Sequence, residues 1–144
     1  MRILAIGGAL VLGLASAASA QNPPDLQGRW SGSFKTVIFG QNSHHPDGQV
    51  APGQSRVREI DFTLEVQGQD GRVLWGQSWS DPSRKEPFGA TLMADGRTLF
   101  GADTDGSLTA ILTGPDRLDL CYTHTALGPS KSIVASCGEV ERGQ

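Results

Sequence analysis

The chain has 144 residues, 38% of them hydrophobic and 19% charged, with a formal net charge of −3. That length suits one domain with enough apolar content for a core, and the acidic residues are scattered, which excludes a basic face for nucleic acid or anionic membrane. Nineteen glycines and eight prolines point to frequent turns rather than long helices.

The first segment reads as a leader. Arg2 supplies a positive start, an apolar run extends from Ile3 to Leu14, and small residues end in Ala18-Ser19-Ala20. This is the pattern of a cleavable secretory signal over 1–20, leaving a single domain over 21–144 and a secreted or periplasmic location. The apolar run is too short and too rich in small residues to span a bilayer comfortably. No Cys follows the cleavage position, so no lipid anchor is expected there.

Downstream the pattern becomes that of short strands. Asp-Gly recurs at Asp47-Gly48, Asp70-Gly71, Asp95-Gly96 and Asp105-Gly106, and such pairs supply the positive φ angles that tight hairpins need. Apolar and polar residues alternate between them, and no segment repeats at helical period. The predicted strands are 28–39, 57–66, 73–80, 88–93, 98–103, 107–113, 118–125 and 133–141. One long Gly/Pro/Ser/His-rich connection, 40–56, follows the first strand; the others are short, so each strand should pair with the next.

Facing partners test this meander. A turn near Gln69-Asp70 sets Val66 against Val73, Leu64 against Trp75 and Ile60 against Trp79. The next hairpins set Leu92 against Leu99, Leu99 against Leu112, and Leu112 against Leu118. One apolar face therefore continues through four hairpins, and a one-residue slip would turn a strand inside out. In the last hairpin Tyr122 faces Ser136, which puts Cys121 opposite Cys137 on the outside. With an even cysteine count in an exported chain, a disulfide is expected, worth ~3 kcal/mol for a loop of about fifteen residues. An open eight-stranded meander leaves two bare edges, and closure removes them. The expected fold is all-β, an eight-stranded antiparallel up-and-down barrel.

The first strand opens Gly28-Arg29-Trp30. This G-x-W start resembles the calycin barrels, the lipocalins and avidins. The resemblance implies a floor closed by Trp30, with a basic residue near the end of the last strand, Arg142, packed over it. It also implies an open mouth beneath the long loop after strand one, and no particular ligand.

Alternation places Ile60, Gln77, Trp79, Phe88, Asp103, Leu108, Tyr122, His124 and Val134 inward near that mouth. An apolar wall with a few convergent polar groups is how small-molecule sites are built. The ligand-binding candidates are Trp75, Gln77, Trp79, Asp103, Tyr122 and His124. Asp103 and His124 are also the candidate acid–base pair, since a carboxylate can hold an imidazole tautomer. Each has a blander role: the tryptophans as core, Asp103 as acceptor for turn N–H groups, His124 solvated. His44 and His45 in the long loop are weak metal-ligand candidates, because adjacent side chains on an extended chain point apart. No cofactor is expected, and neither a nucleophile elbow nor a phosphate loop is present. The leading expectation is an exported barrel holding a small, partly apolar ligand. The alternatives are a cofactor-free cyclase or isomerase working by acid–base chemistry, and a structural or protein-binding envelope protein.

Overall fold

The computed structural model describes residues 22–40, 51, 53–125 and 132–143. The expected leader, His44 and His45 lie outside the described residues. Eight strands run in order: β1 (Gly28–Phe39), β2 (Ser55–Asp70), β3 (Val73–Trp79), β4 (Glu86–Leu92), β5 (Thr98–Ala102), β6 (Gly106–Gly114), β7 (Arg117–Thr125) and β8 (Ile133–Arg142). Each pairs antiparallel with the next, and β8 returns to pair with β1, closing the barrel. Closure leaves no strand edge open to a second sheet.

The interior is filled at one end. Trp30, Leu64, Val66, Leu74, Leu92, Leu99, Leu118, Leu120 and Val140 form a continuous buried cluster. Burying each such Leu stabilises the fold by about 1.5–3 kcal/mol, so this packed end anchors the barrel. The chain ahead of β1 crosses beneath it. Leu26 is buried there, its N–H donates to Gln69 Oε1 at 2.9 Å, and its carbonyl accepts from Trp30 Nε1 at 2.9 Å. Arg142 lies with Cζ 4.4 Å from the Trp30 ring, donates to the Asp25 carbonyl at 2.8 Å and pairs with Asp116 at 3.2 Å. The floor is therefore closed by Trp30 and capped by Arg142.

Most of the expected register is present. Leu92 faces Leu99, Leu112 faces Leu118, Ala110 faces Leu120, and Tyr122 faces Ser136. Cys121 faces Cys137 with Cα atoms 4.1 Å apart, and the two are disulfide-bonded. At the β5–β6 hairpin the pairing differs by two residues: Leu99 faces Ala110 rather than Leu112. A two-residue shift preserves the faces, so the inward set there is unchanged.

The β2–β3 hairpin departs from expectation. The turn is a two-residue loop, Gly71-Arg72, with Gly71 at φ 55°, and β2 extends to Asp70. A bulge between Val66 and Gly68 then sets Val66 opposite Gly76 and Leu64 opposite Ser78. The parity of β3 is the reverse of that expected. Leu74, Gly76 and Ser78 point inward; Val73 and Trp75, 52% and 48% exposed, point out. The bulge adds the one residue that reverses parity. Gly68 accommodates the outcome, because a Cβ there would lie 2.3 Å from the Trp75 ring. The outward positions of β3, β4, β5 and β6 carry no charged residue, whereas those of β2 include Glu59, Asp61 and Glu65.

Candidate functional site

Among the described residues, the end of the barrel opposite Trp30 is not filled. A cavity of about 60 Å³ lies there, with Phe34, Ile60, Phe62, Trp79 and Val134 as apolar wall and Thr36, Ser78, Ser80, Arg84, Glu86, Asp103, Tyr122, His124 and Ser136 as polar lining. It has room for about four to six water-sized groups. Phe34 stacks on Phe62 with ring centroids 5.4 Å apart, and Phe62 meets Tyr122 at 6.0 Å. This aromatic layer separates the cavity from the packed core.

Strand register explains why the polar groups converge. Thr36 and Tyr122 both face Ser136 from neighbouring strands, and one step higher Val134 faces His124, which faces Gly106. Thr36 and Ser136 share a hydroxyl hydrogen bond of 2.7 Å. Asp103 and Asp105 flank the β5–β6 turn. Asp103 Oδ1 accepts the Gly106 N–H at 2.8 Å, the turn-capping role expected of it, and Oδ2 accepts Ser78 Oγ at 3.3 Å. The Tyr122 hydroxyl lies 3.2 Å from Asp103 Oδ1 and 3.1 Å from Asp105 Oδ1. It carries one proton, so it serves one carboxylate at a time. Burial, then the negative charges of Asp103 and Asp105, push the phenol far above its ordinary range, so Tyr122 stays a neutral donor.

His124 is 5% exposed. Its Nδ1 is 2.9 Å from Asp105 Oδ2, and its Nε2 is 2.9 Å from Ser132 Oγ. A carboxylate only accepts, so the neutral ring carries its proton on Nδ1 and presents the Nε2 lone pair to Ser132. The carboxylate on the ring is thus Asp105, two residues on from the expected Asp103.

Four of the six ligand-binding candidates, Trp79, Asp103, Tyr122 and His124, border the cavity. Trp79 borders it from an outward-parity position; Lys85 Nζ lies 4.2 Å and Arg29 Cζ 5.5 Å from its ring centroid. Trp75 and Gln77 do not border it. The reversed parity of β3 places both on the outer wall and gives Ser78 their inward place. Phe34, Thr36, Phe62, Ser78, Ser80, Arg84 and Glu86 were missed as lining residues, and Asp105 and Ser132 as the partners of His124. Extending the β8 alternation upward from Val134 would have marked Ser132, whereas Asp105 was absorbed into its Asp-Gly turn.

Among the described residues, one group of carboxylates has ligand atoms within 4.8 Å of one another: Glu86, Asp103 and Asp105. Each already accepts a hydrogen bond, Glu86 from Thr104 Oγ1 at 2.6 Å, which reads as turn structure.

No protein-family model matches the chain, and no curated protein matches it. Among solved structures it is similar to a redesigned beta barrel, at 13% identity and a TM-score of 0.37, over 83% of this chain and 92% of that one. At that level the barrel rests on this chain's own strand pairing.

Proposed function

We propose that the protein is an exported barrel that binds a small molecule in the unfilled end. The carrying observation is the cavity itself, with an aromatic layer at its base and hydroxyls and carboxylates around its side. Its chemistry suits a compact ligand with an apolar end against Phe34, Phe62 and Val134. The other end would donate hydrogen bonds to Asp103 and accept one from the Thr36–Ser136 pair, in which one arrangement leaves a free O–H. Export is supported by the basic–apolar–small pattern of residues 1–20 and by the Cys121–Cys137 bridge.

The test is a thermal-shift screen of small amines, alcohols and hydroxylated aromatics, followed by Trp fluorescence titration of each hit. Binding is expected to raise the melting temperature, to alter Trp79 emission, and to weaken at least tenfold in Ser136→Ala. A screen without hits, or hits unaffected by Ser136→Ala, would count against the cavity as the binding site.

Acid–base catalysis by Asp103 with His124 has less support. Both ring nitrogens are engaged, by Asp105 and Ser132, so the imidazole reaches a substrate proton only through the serine. A protein-binding role is favoured by the uncharged outer wall of β3–β6, where Val73, Trp75, Phe100 and Ile111 are exposed. Light scattering of the wild type against Trp75→Lys tests self-association through that wall; a monomer in both at high concentration would weaken this reading.

A further inference from the structure

The described residues include one serine–imidazole–carboxylate relay, and nothing in the binding reading uses it. Ser132 Oγ is 2.9 Å from His124 Nε2, and His124 Nδ1 is 2.9 Å from Asp105 Oδ2. Three separate elements supply the groups: Asp105 from the β5–β6 turn, His124 from β7, and Ser132 from the residue ahead of β8. Ser132 and His124 are 2% and 5% exposed, so water competes little for either hydrogen bond. We infer that Ser132 is a nucleophile activated by His124, with Asp105 as the residue that orients the ring, and that the site accepts short acyl groups from activated esters.

The chemistry follows from the tautomer. Asp105 can only accept, so it holds the proton on Nδ1 and leaves Nε2 basic toward the serine hydroxyl. As Ser132 Oγ bonds to an ester carbonyl carbon, its proton passes to Nε2, and the ring becomes an imidazolium stabilised by the Asp105 carboxylate. Loss of the alcohol breaks the C–O bond, and Nε2 returns the proton to that alcohol. Water then attacks the acyl-serine, gives a proton to Nε2, and the proton returns to Ser132 as the acid departs. Ester and water are consumed, acid and alcohol are formed, and no oxidant or cofactor enters.

Position limits the substrate. Val134 and Ser136 are the next inward-facing residues of β8 after Ser132, and both line the cavity, as does His124. Ser132 is not itself a lining residue, so an acyl group on it has to pass Val134 and His124 to enter that space, which holds about four to six water-sized groups. Acetyl and propionyl fit; long acyl chains do not. The inference shares the cavity with the binding proposal but needs none of its ligands.

Full-length protein with the disulfide intact is incubated with p-nitrophenyl acetate, quenched in acid and analysed by intact mass and peptide mapping. A single acetyl group on Ser132 is expected, absent in Ser132→Ala and formed at least tenfold more slowly in His124→Gln. Asp105→Asn should slow it as well, while p-nitrophenyl decanoate should leave no adduct. Ser132→Cys supplies an independent measure, because Cys121 and Cys137 are bridged and the new thiol is the one available to iodoacetamide. Its alkylation should slow when His124→Gln is added. No adduct on Ser132 in folded protein, or equal rates with and without His124, would overturn the inference. Either result would leave the fluorescence titration of the binding proposal unaffected.

Discussion

Gly106 sits beneath the Tyr122 ring, and substituting it tests how the upper end is held together. A Cβ at position 106 would lie 2.2 Å from the Tyr122 hydroxyl, 2.4 Å from Cζ and 2.7 Å from Cε2. The ring must move, because its far end is rigid. Gly106 has no positive φ, so Ala meets no backbone strain and its penalty comes from the contact alone. Overpacking of this kind costs about 1–3 kcal/mol. A displaced phenol also loses its hydrogen bond to Asp103 or Asp105, about 1.5–3 kcal/mol for a charged acceptor. Ala in place of Gly in a strand returns about 0.5–1 kcal/mol. Gly106→Ala should therefore destabilise by about 1.5–5.5 kcal/mol net, a fall of about 5–20 °C in melting temperature for a domain of this size. In a Tyr122→Leu background the contact is gone, and the same substitution should become neutral or stabilising. Thermal and urea unfolding of the four proteins gives the coupling energy directly. An equal penalty for Gly106→Ala in both backgrounds would refute the reasoning and the placement of Tyr122 with it.

The remaining predictions concern the wall and floor. Cys121→Ala with Cys137→Ala should cost ~3 kcal/mol by freeing the unfolded chain, and unfolded, non-reduced protein should show no thiol reactive toward labelling reagents. Arg142→Met should lower stability by about 1–3 kcal/mol through loss of its contact with Trp30 and its carbonyl hydrogen bonds, with a shift in Trp30 emission; Arg142→Lys should not restore it, lacking the planar fork. The Asp95 carboxylate accepts Thr98 Oγ1 at 2.6 Å and the Thr98 and Arg97 N–H groups at 2.9 Å each, which lower its pKa to about 2. Its contribution is therefore present above the ordinary carboxylate range and lost as pH falls through about 2. Thr98→Val should raise the value seen by carbon-detected NMR titration, and no change would contradict this hydrogen-bond set.

The alternation of apolar residues around Asp-Gly turns was enough to place eight strands, the closed barrel and the facing cysteines, while the floor at Trp30 came from the G-x-W resemblance. Those are local regularities: side chains alternate at period two, and a tight turn ties the next strand's faces to the last. Of the unfilled end, Asp103, Tyr122 and His124 were legible for the same reason, lying near strand ends whose direction was known, whereas Trp79 borders it from the opposite parity to the one expected. Trp75 and Gln77 were misplaced because one extra residue between Val66 and Gly68 reverses a whole strand, and no local signal separates a bulge from a longer loop. The partnership of His124 with Asp105 and Ser132 was decided by the pairing of β6, β7 and β8 in space. It brings together a turn, a strand and the residue before another strand, and the register and twist of three neighbouring strands set their distances. Periodicity says which way a side chain points, whereas the curvature of the finished sheet decides what it meets.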